Sequence, residues 1–237
     1  MAWNRSGSGM VKFTALDGLA GNHFTAATIC PLPGLGIVIG GNTGLQVFDT
    51  RTGRWNTLNT GNSAMSFDDV SALFCDAEHG YLVVGYAQHG LDVFDAATNE
   101  WSHLDRNDGL GTDTVAHVVV TGDREAYWVS SGIGLSVISD DEAILYNAAN
   151  SPLEVAPLHG LAVGPANEIW IAGTDRLYRV DGDEWTVYES EALGDEFPGA
   201  ALAALAVAEQ GDVWLVDEAG AVCRFDPLVE RCGALYA

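Results

Sequence analysis

Lysine is almost missing from this chain. Lys12 stands alone beside nine arginines and 33 acids, and the formal net charge is −23. A field of that sign repels phosphate backbones, and no basic cluster interrupts it, which argues against a nucleic-acid partner. Long hydrophobic runs are also absent. Apolar runs such as Leu202–Ala208 and Ile169–Ala172 have the length of strands, so no membrane insertion is expected. The N-terminus, MAWNRSGSGMVKF, lacks the apolar stretch of about 7–15 residues that a secretory signal needs. A full-length chain is therefore expected in the cytoplasm, and a processed one outside it.

Catalytic signatures are missing as well. No glycine-rich phosphate loop precedes a helix, and there is no Cys-x-x-Cys, His-Glu-x-x-His or Gly-x-Ser-x-Gly. Four cysteines are too few for a disulfide scaffold at this length. Cys30 and Cys75 fall 45 residues apart, at the same place in two successive repeats, which suggests small buried apolar residues and not a bonded pair. Cys223 and Cys232 flank one turn. Pairing Phe225 with Cys232 leaves Cys223 one pair away, so a disulfide there is open but not favoured.

What the chain does contain is repetition. Gly34–Trp55 reads GLGIVIGGNTGLQVFDTRTGRW, and Gly80–Trp101, 46 residues later, reads GYLVVGYAQHGLDVFDAATNEW. Weaker copies follow at Ala126–Ile144, Glu168–Trp185 and Asp212–Cys232. A period of about 40–50 residues built only from short strands is the mark of a β-propeller. With 48% hydrophobic residues the chain can bury one sizeable core. The expected fold is all-β: one propeller domain of about five four-stranded blades, at 20–60, 61–106, 107–150, 151–199 and 200–237. Met10–Leu16 is a candidate closing strand, although Glu230–Leu235 competes for the same place.

The second strand of each repeat is apolar on both faces: Ile37–Ile39, Leu82–Val84, Tyr127–Val129, Ile169–Ile171 and Val213–Leu215. That pattern suits a central strand buried between two sheets. Its middle residue is tryptophan in the last three copies, Trp128, Trp170 and Trp214, and these read as wedges between blades. Asp49 and Asp95 open the third turn of each repeat and Gly53 and Asn99 close it, as self-capped turns require.

Asp17-Gly18-Leu19, Asp108-Gly109-Leu110, the tryptophan-bearing second strands and the Gly-Leu pairs at 44, 90 and 134 together resemble two-component-regulator propeller repeats. The resemblance spans nearly the whole chain and implies a sensor or interaction role. Blades four and five depart from it, with Arg176-Leu177 and Ala221-Val222 in place of Gly-Leu. The first two blades also resemble kelch repeats, through Gly40-Gly41 and FDTRTGRW.

Candidate site residues are those that break the repeat. The loop face of a propeller would collect Asn42, Tyr86, Gln88, His89, Asp217 and Glu218, a set suited to binding a protein partner or a small ligand. Asp17, Asp108 and the loop Glu189–Gly199 belong to the same face. His117 and His159 each precede a blade tryptophan by eleven residues, where other blades carry alanine. If both face the channel, they could hold a divalent metal or an anion. No other cofactor is implied. The expected function is a non-catalytic binding or scaffold module, which could belong to an oligomer or a larger assembly. The alternative is a small lyase- or hydrolase-type propeller enzyme at the channel mouth, with or without metal assistance.

Overall fold

The computed structural model describes residues 2–3, 10–21, 23–122, 126–139, 142–155, 157–189, 193 and 201–236. Five four-stranded antiparallel sheets follow one another along the chain, each strand pairing with its sequence neighbour. Blade one comprises Phe24–Ile29, Ile37–Gly41, Gly44–Asp49 and Arg54–Leu58; blade two comprises Val70–Asp76, Tyr81–Tyr86, Leu91–Asp95 and Glu100–Leu104. Blade three comprises His117–Thr121, Ala126–Ser131, Gly134–Ile138 and Ala143–Tyr146. Blade four comprises Gly160–Val163, Ile169–Ala172, Leu177–Asp181 and Glu184–Tyr188; blade five comprises Leu202–Val207, Val213–Asp217, Val222–Asp226 and Arg231–Tyr236. The strands of each blade are called a to d in chain order. Five such blades define an all-β protein of the β-propeller class.

Two compact units divide the chain, Met1–Asp105 with blades one and two, and Arg106–Ala237 with blades three to five. In the first, Val38, Leu45 and Val47 of blade one pack against Leu82, Val84 and Val70 of blade two. In the second, Trp170, Leu177 and Tyr188 of blade four pack against Val213, Leu215 and Phe225 of blade five. Trp170 is the wedge the repeat implied, only 1% exposed and facing the Phe225 ring edge-on.

Local chemistry shapes the turns. Gly44, Gly90 and Gly134 open the c strands with φ of 85°, 71° and 141°. A Cβ at any of the three would run into the carbonyl oxygen of Leu58, Leu104 or Tyr146, which is why a Gly-Leu pair recurs there. Asp49 accepts hydrogen bonds from the Arg51 and Thr52 N–H groups and from the Thr52 hydroxyl. The Thr52 hydroxyl, followed by the Arg51 amide, holds its carboxyl below the usual carboxylate range. Asp95 and Asp226 cap their turns in the same way, through Ala97 and Leu228. Asp17 closes a capping box on Thr14, so it too is a turn residue.

At the N-terminus, Met10–Val11 pairs with Ala2–Trp3. The outer strand of blade five is supplied by Arg231–Tyr236, paired with Val222–Asp226.

Both cysteine expectations need correction. Cys30 and Cys75 form a disulfide between blades one and two, with Cα atoms 5.4 Å apart. Cys223 and Cys232 form a second one, with Cα atoms 5.5 Å apart. The register explains the first. Ile29 pairs with Ile37 and Cys75 pairs with Leu82, so the true counterpart of Cys75 is Ile29, and Cys30 lies one residue beyond. One residue reverses the face of a strand. Cys30 therefore points toward blade two while Cys75 points back toward blade one. In blade five Phe225 does pair with Cys232 and Cys223 with Ala234, but a bulge beside Cys223 accompanies that register, and the two sulfurs join diagonally.

Candidate functional site

A polar side chain recurs at the second buried position of strand c. In blade one Gln46 accepts a hydrogen bond from the Ala20 N–H at 3.0 Å; in blade three Ser136 accepts one from Gly111 at 3.0 Å. Each ties the loop that enters its own blade to the blade's third strand. Blade two uses Asp92 for this purpose, and there the latch becomes a network.

Asp92 is fully buried, and three donors meet it. The Ser66 N–H lies at 2.7 Å and the Tyr86 hydroxyl at 2.6 Å from one carboxylate oxygen, and His103 Nδ1 lies at 2.7 Å from the other. Strand register makes this meeting necessary, because Asp92 faces His103 on strand d and lies one strand away from Tyr86. Burial, reinforced by the Asp92 carboxylate, pushes the Tyr86 phenol far above its usual range and keeps it a hydrogen-bond donor.

The same loop brings Phe67 to the surface. Its ring lies parallel to the His89 imidazole at 3.9 Å, with Tyr86 edge-on at 5.6 Å and His103 tilted at 5.8 Å. His89 is partly exposed, with its Nε2 4.0 Å from the Asp69 carboxylate. Asn42 is exposed in the b–c turn of blade one, two residues before Gly44, whose N–H donates to the Asp68 carbonyl. Gln88 is exposed beside His89. The structure thus gathers Tyr86 and His89 around one surface, with Tyr86 in its wall and not on its face. Sequence reasoning missed Phe67, Asp69, Asp92 and His103. One signal was available: Asp92 is the only charged residue at a position that is Gln46 or Ser136 in neighbouring blades.

In the second unit Asp217 is 2% exposed and caps its own turn by accepting from the Ala221 N–H at 2.8 Å. Glu218 beside it is exposed. His117 and His159 are not register equivalents. The Ala116 N–H donates to Ser130 as the His159 N–H donates to Ala172, so the counterpart of His159 is Ala116. The one-residue offset puts the two side chains at different register positions of their blades, near enough for the charge of His159 to be felt at His117. His117 Nδ1 lies 2.9 Å from the Ser130 hydroxyl, and burial first, then the charge of His159, lowers its pKa. Among the described residues no group of three or more His, Cys, Asp or Glu side chains is arranged to hold a metal. Most of the loop Glu189–Gly199 lies outside the described residues.

No family model matches the chain, and no curated protein matches it. Solved structures do. The extracellular domain of the proposed hybrid two-component system BT3049 from B. thetaiotaomicron superposes with a TM-score of 0.69 at 15% identity, over 94% of this chain and 31% of that one. The extracellular domain of the proposed one-component system BT4673 from the same organism gives 0.68 at 17% identity, over 91% of this chain and 31% of that one. Virginiamycin B lyase from Staphylococcus aureus gives 0.63 at 13% identity, over 87% and 67%. This chain thus spans about a third of the length of the first two. These likenesses concern the fold alone, and they bear out the β-propeller and its structural resemblance to the extracellular domains of such regulatory systems. No helix among the described residues is long and apolar enough to cross a membrane.

Proposed function

We propose that the chain is a non-catalytic recognition module working outside the cytoplasm, and that its blade-two surface binds a cationic segment of a partner protein. The observation that carries the reading is the Phe67–His89 stack with Asp69 at its edge. A flat aromatic face beside a carboxylate suits a guanidinium group, which stacks and pairs at once. The net charge of −23 steers such a partner from a distance. Two disulfides and no free cysteine suit an oxidising compartment, and the two B. thetaiotaomicron neighbours are extracellular domains.

The test is titration of a fluorescent arginine-rich peptide and of its glutamate-substituted counterpart. Selective, salt-sensitive binding of the basic peptide, weakened by His89→Ala and by Asp69→Asn, is the expected result. Equal binding by the wild type and both variants would sink the reading.

Two further readings each rest on one observation. The enzyme alternative rests on His103, whose Nδ1 faces a buried carboxylate as in an oriented acid–base pair. A hydrolase or lyase activity lost in His103→Gln, with the fold intact, would establish it. The divalent-metal proposal rests on the half-buried His117 feeling the charge of His159. Calorimetry with zinc or nickel ions, on the wild type and on His159→Ala, tests it.

A further inference from the structure

One loop is built twice in this chain. Residues 59–65 lead from blade one into blade two, and residues 147–153 lead from blade three into blade four. In each, the N–H of the first asparagine, Asn59 or Asn147, donates to the side-chain oxygen of the asparagine three places on, Asn62 or Asn150, at 2.9 Å. That second asparagine donates back to a strand-d carbonyl, Thr57 or Leu145. The serine after it, Ser63 or Ser151, donates to the carbonyl of the first asparagine. With the two loops matched bond for bond, the residue that ends strand d can be compared directly. It is Leu58 in blade one, paired with Leu45, and Tyr146 in blade three, paired with Leu135.

The joints differ in what fills them. Tyr146 stands edge-on to Trp185 of blade four at 5.4 Å. Tyr188 holds the same register position in blade four, paired with Leu177; it stands edge-on to Phe225 of blade five at 4.9 Å and is 5% exposed. Each joint of the second unit is thus closed by a tyrosine ring from the preceding blade. Between blades one and two the shorter Leu58 occupies that place, and a cavity of about 340 Å³ opens there against Leu82, Phe94 and Trp101. Register makes Trp101 the counterpart of Trp185, and Phe94 the counterpart of Phe225. The walls that receive a tyrosine are kept, and the ring is missing. Phe13 of the N-terminal segment does not supply it, because it packs on Phe48 and Trp55, on the face of blade one opposite to Leu45 and Leu58.

We infer that the cavity between blades one and two is a binding site for a free, neutral aromatic molecule of phenol size, whose ring takes the place that Tyr146 and Tyr188 fill in the other joints. The volume falls within the range of small-molecule pockets, roughly 300–1,000 Å³. Phe94 and Trp101, with ring centroids 4.9 Å apart, offer the ligand an edge-on aromatic contact like those of Trp185 and Phe225. Asn62 and Asn99 are exposed at the rim, where the ligand hydroxyl stays hydrated. Among the described residues no charged side chain lines the cavity, so an ionised ligand would be desolvated without a counterion. The net charge of −23 disfavours an anion further.

Fluorine NMR of para-fluorophenol titrated with the full chain tests it. The wild type is expected to broaden and shift the ligand signal, and unlabelled p-cresol, the tyrosine side chain as a free molecule, is expected to reverse the effect. Leu58→Tyr supplies the missing ring from the protein itself and is expected to abolish the effect, with a melting temperature no lower than that of the wild type. Ala64→Trp, at an exposed position on the rim, is expected to abolish it too, and it carries the test should Leu58→Tyr not fold. His89→Ala is expected to bind as the wild type does, because the Phe67–His89 surface does not line the cavity. A ligand signal that stays sharp with the wild type overturns the proposal. So does binding that Leu58→Tyr and Ala64→Trp both retain, binding lost in His89→Ala alone, or para-fluorobenzoate bound as well as para-fluorophenol.

Discussion

Removing the Cys30–Cys75 bridge is the sharpest perturbation that the first unit offers. The bond joins residues 45 apart in sequence and ties blade one to blade two. Cross-linking a loop of that length restricts the unfolded chain by an entropy equivalent to about 4 kcal/mol at room temperature. The Cys223–Cys232 bridge closes a loop with a separation of only 9 and is worth about 2.5 kcal/mol by the same relation. A Cys30→Ala/Cys75→Ala variant should therefore lose more stability than Cys223→Ala/Cys232→Ala. For a chain of this size the loss corresponds to a drop of about 10 °C in melting temperature. Denaturant titration of both double variants measures the difference. Alkylation of the denatured, unreduced wild type followed by intact-mass measurement checks the premise, and no modified cysteine is expected. Four alkylated thiols, or a Cys30→Ala/Cys75→Ala variant that melts with the wild type, would refute the reasoning.

Trp170→Ala removes a side chain that is 1% exposed and should cost about 3–5 kcal/mol, seen as a lower denaturant midpoint; an unchanged midpoint would remove Trp170 from the interface. Tyr86→Phe deletes one of the three donors to buried Asp92 and should cost about 1–3 kcal/mol, whereas a neutral result would mean that the Ser66 N–H and His103 suffice. His117 has its folded pKa lowered from 6.5, so the unfolded chain binds the extra proton first. Its contribution is complete above pH of about 6.5 and is lost as pH falls through the lower folded value. His117→Gln should flatten that part of the stability–pH curve, and an identical acid limb in both proteins would contradict the burial of His117. Gly90→Ala forces a Cβ onto the Leu104 carbonyl at positive φ, and thermal melts should show clear destabilisation.

The repeat was legible because its causes are local. A strand buried on both faces must be apolar throughout, so Ile37–Ile39 and Val213–Leu215 announced themselves. A turn that caps itself needs aspartate, so Asp49 and Asp95 did too. A c strand that begins under a carbonyl needs glycine, which Gly44 and Gly90 supply. The candidate surface was only half legible. His89 stood out in its loop, but Phe67 reaches it from a different loop, and His103 meets Asp92 only through the pairing of two strands.

The sequence by itself determined the number of blades, the order of the strands, and the residues that turn the chain. Tertiary structure alone decided which face each side chain occupies. The reason is the two-residue period of a strand: a shift of one place, invisible in a list of similar segments, reverses a side chain's direction. Cys30 and Cys75 look equivalent and so do His117 and His159. In each pair the register is offset by one residue, so an apparent pair of fillers becomes a disulfide between blades in one case and two electrostatically coupled histidines at different register positions in the other.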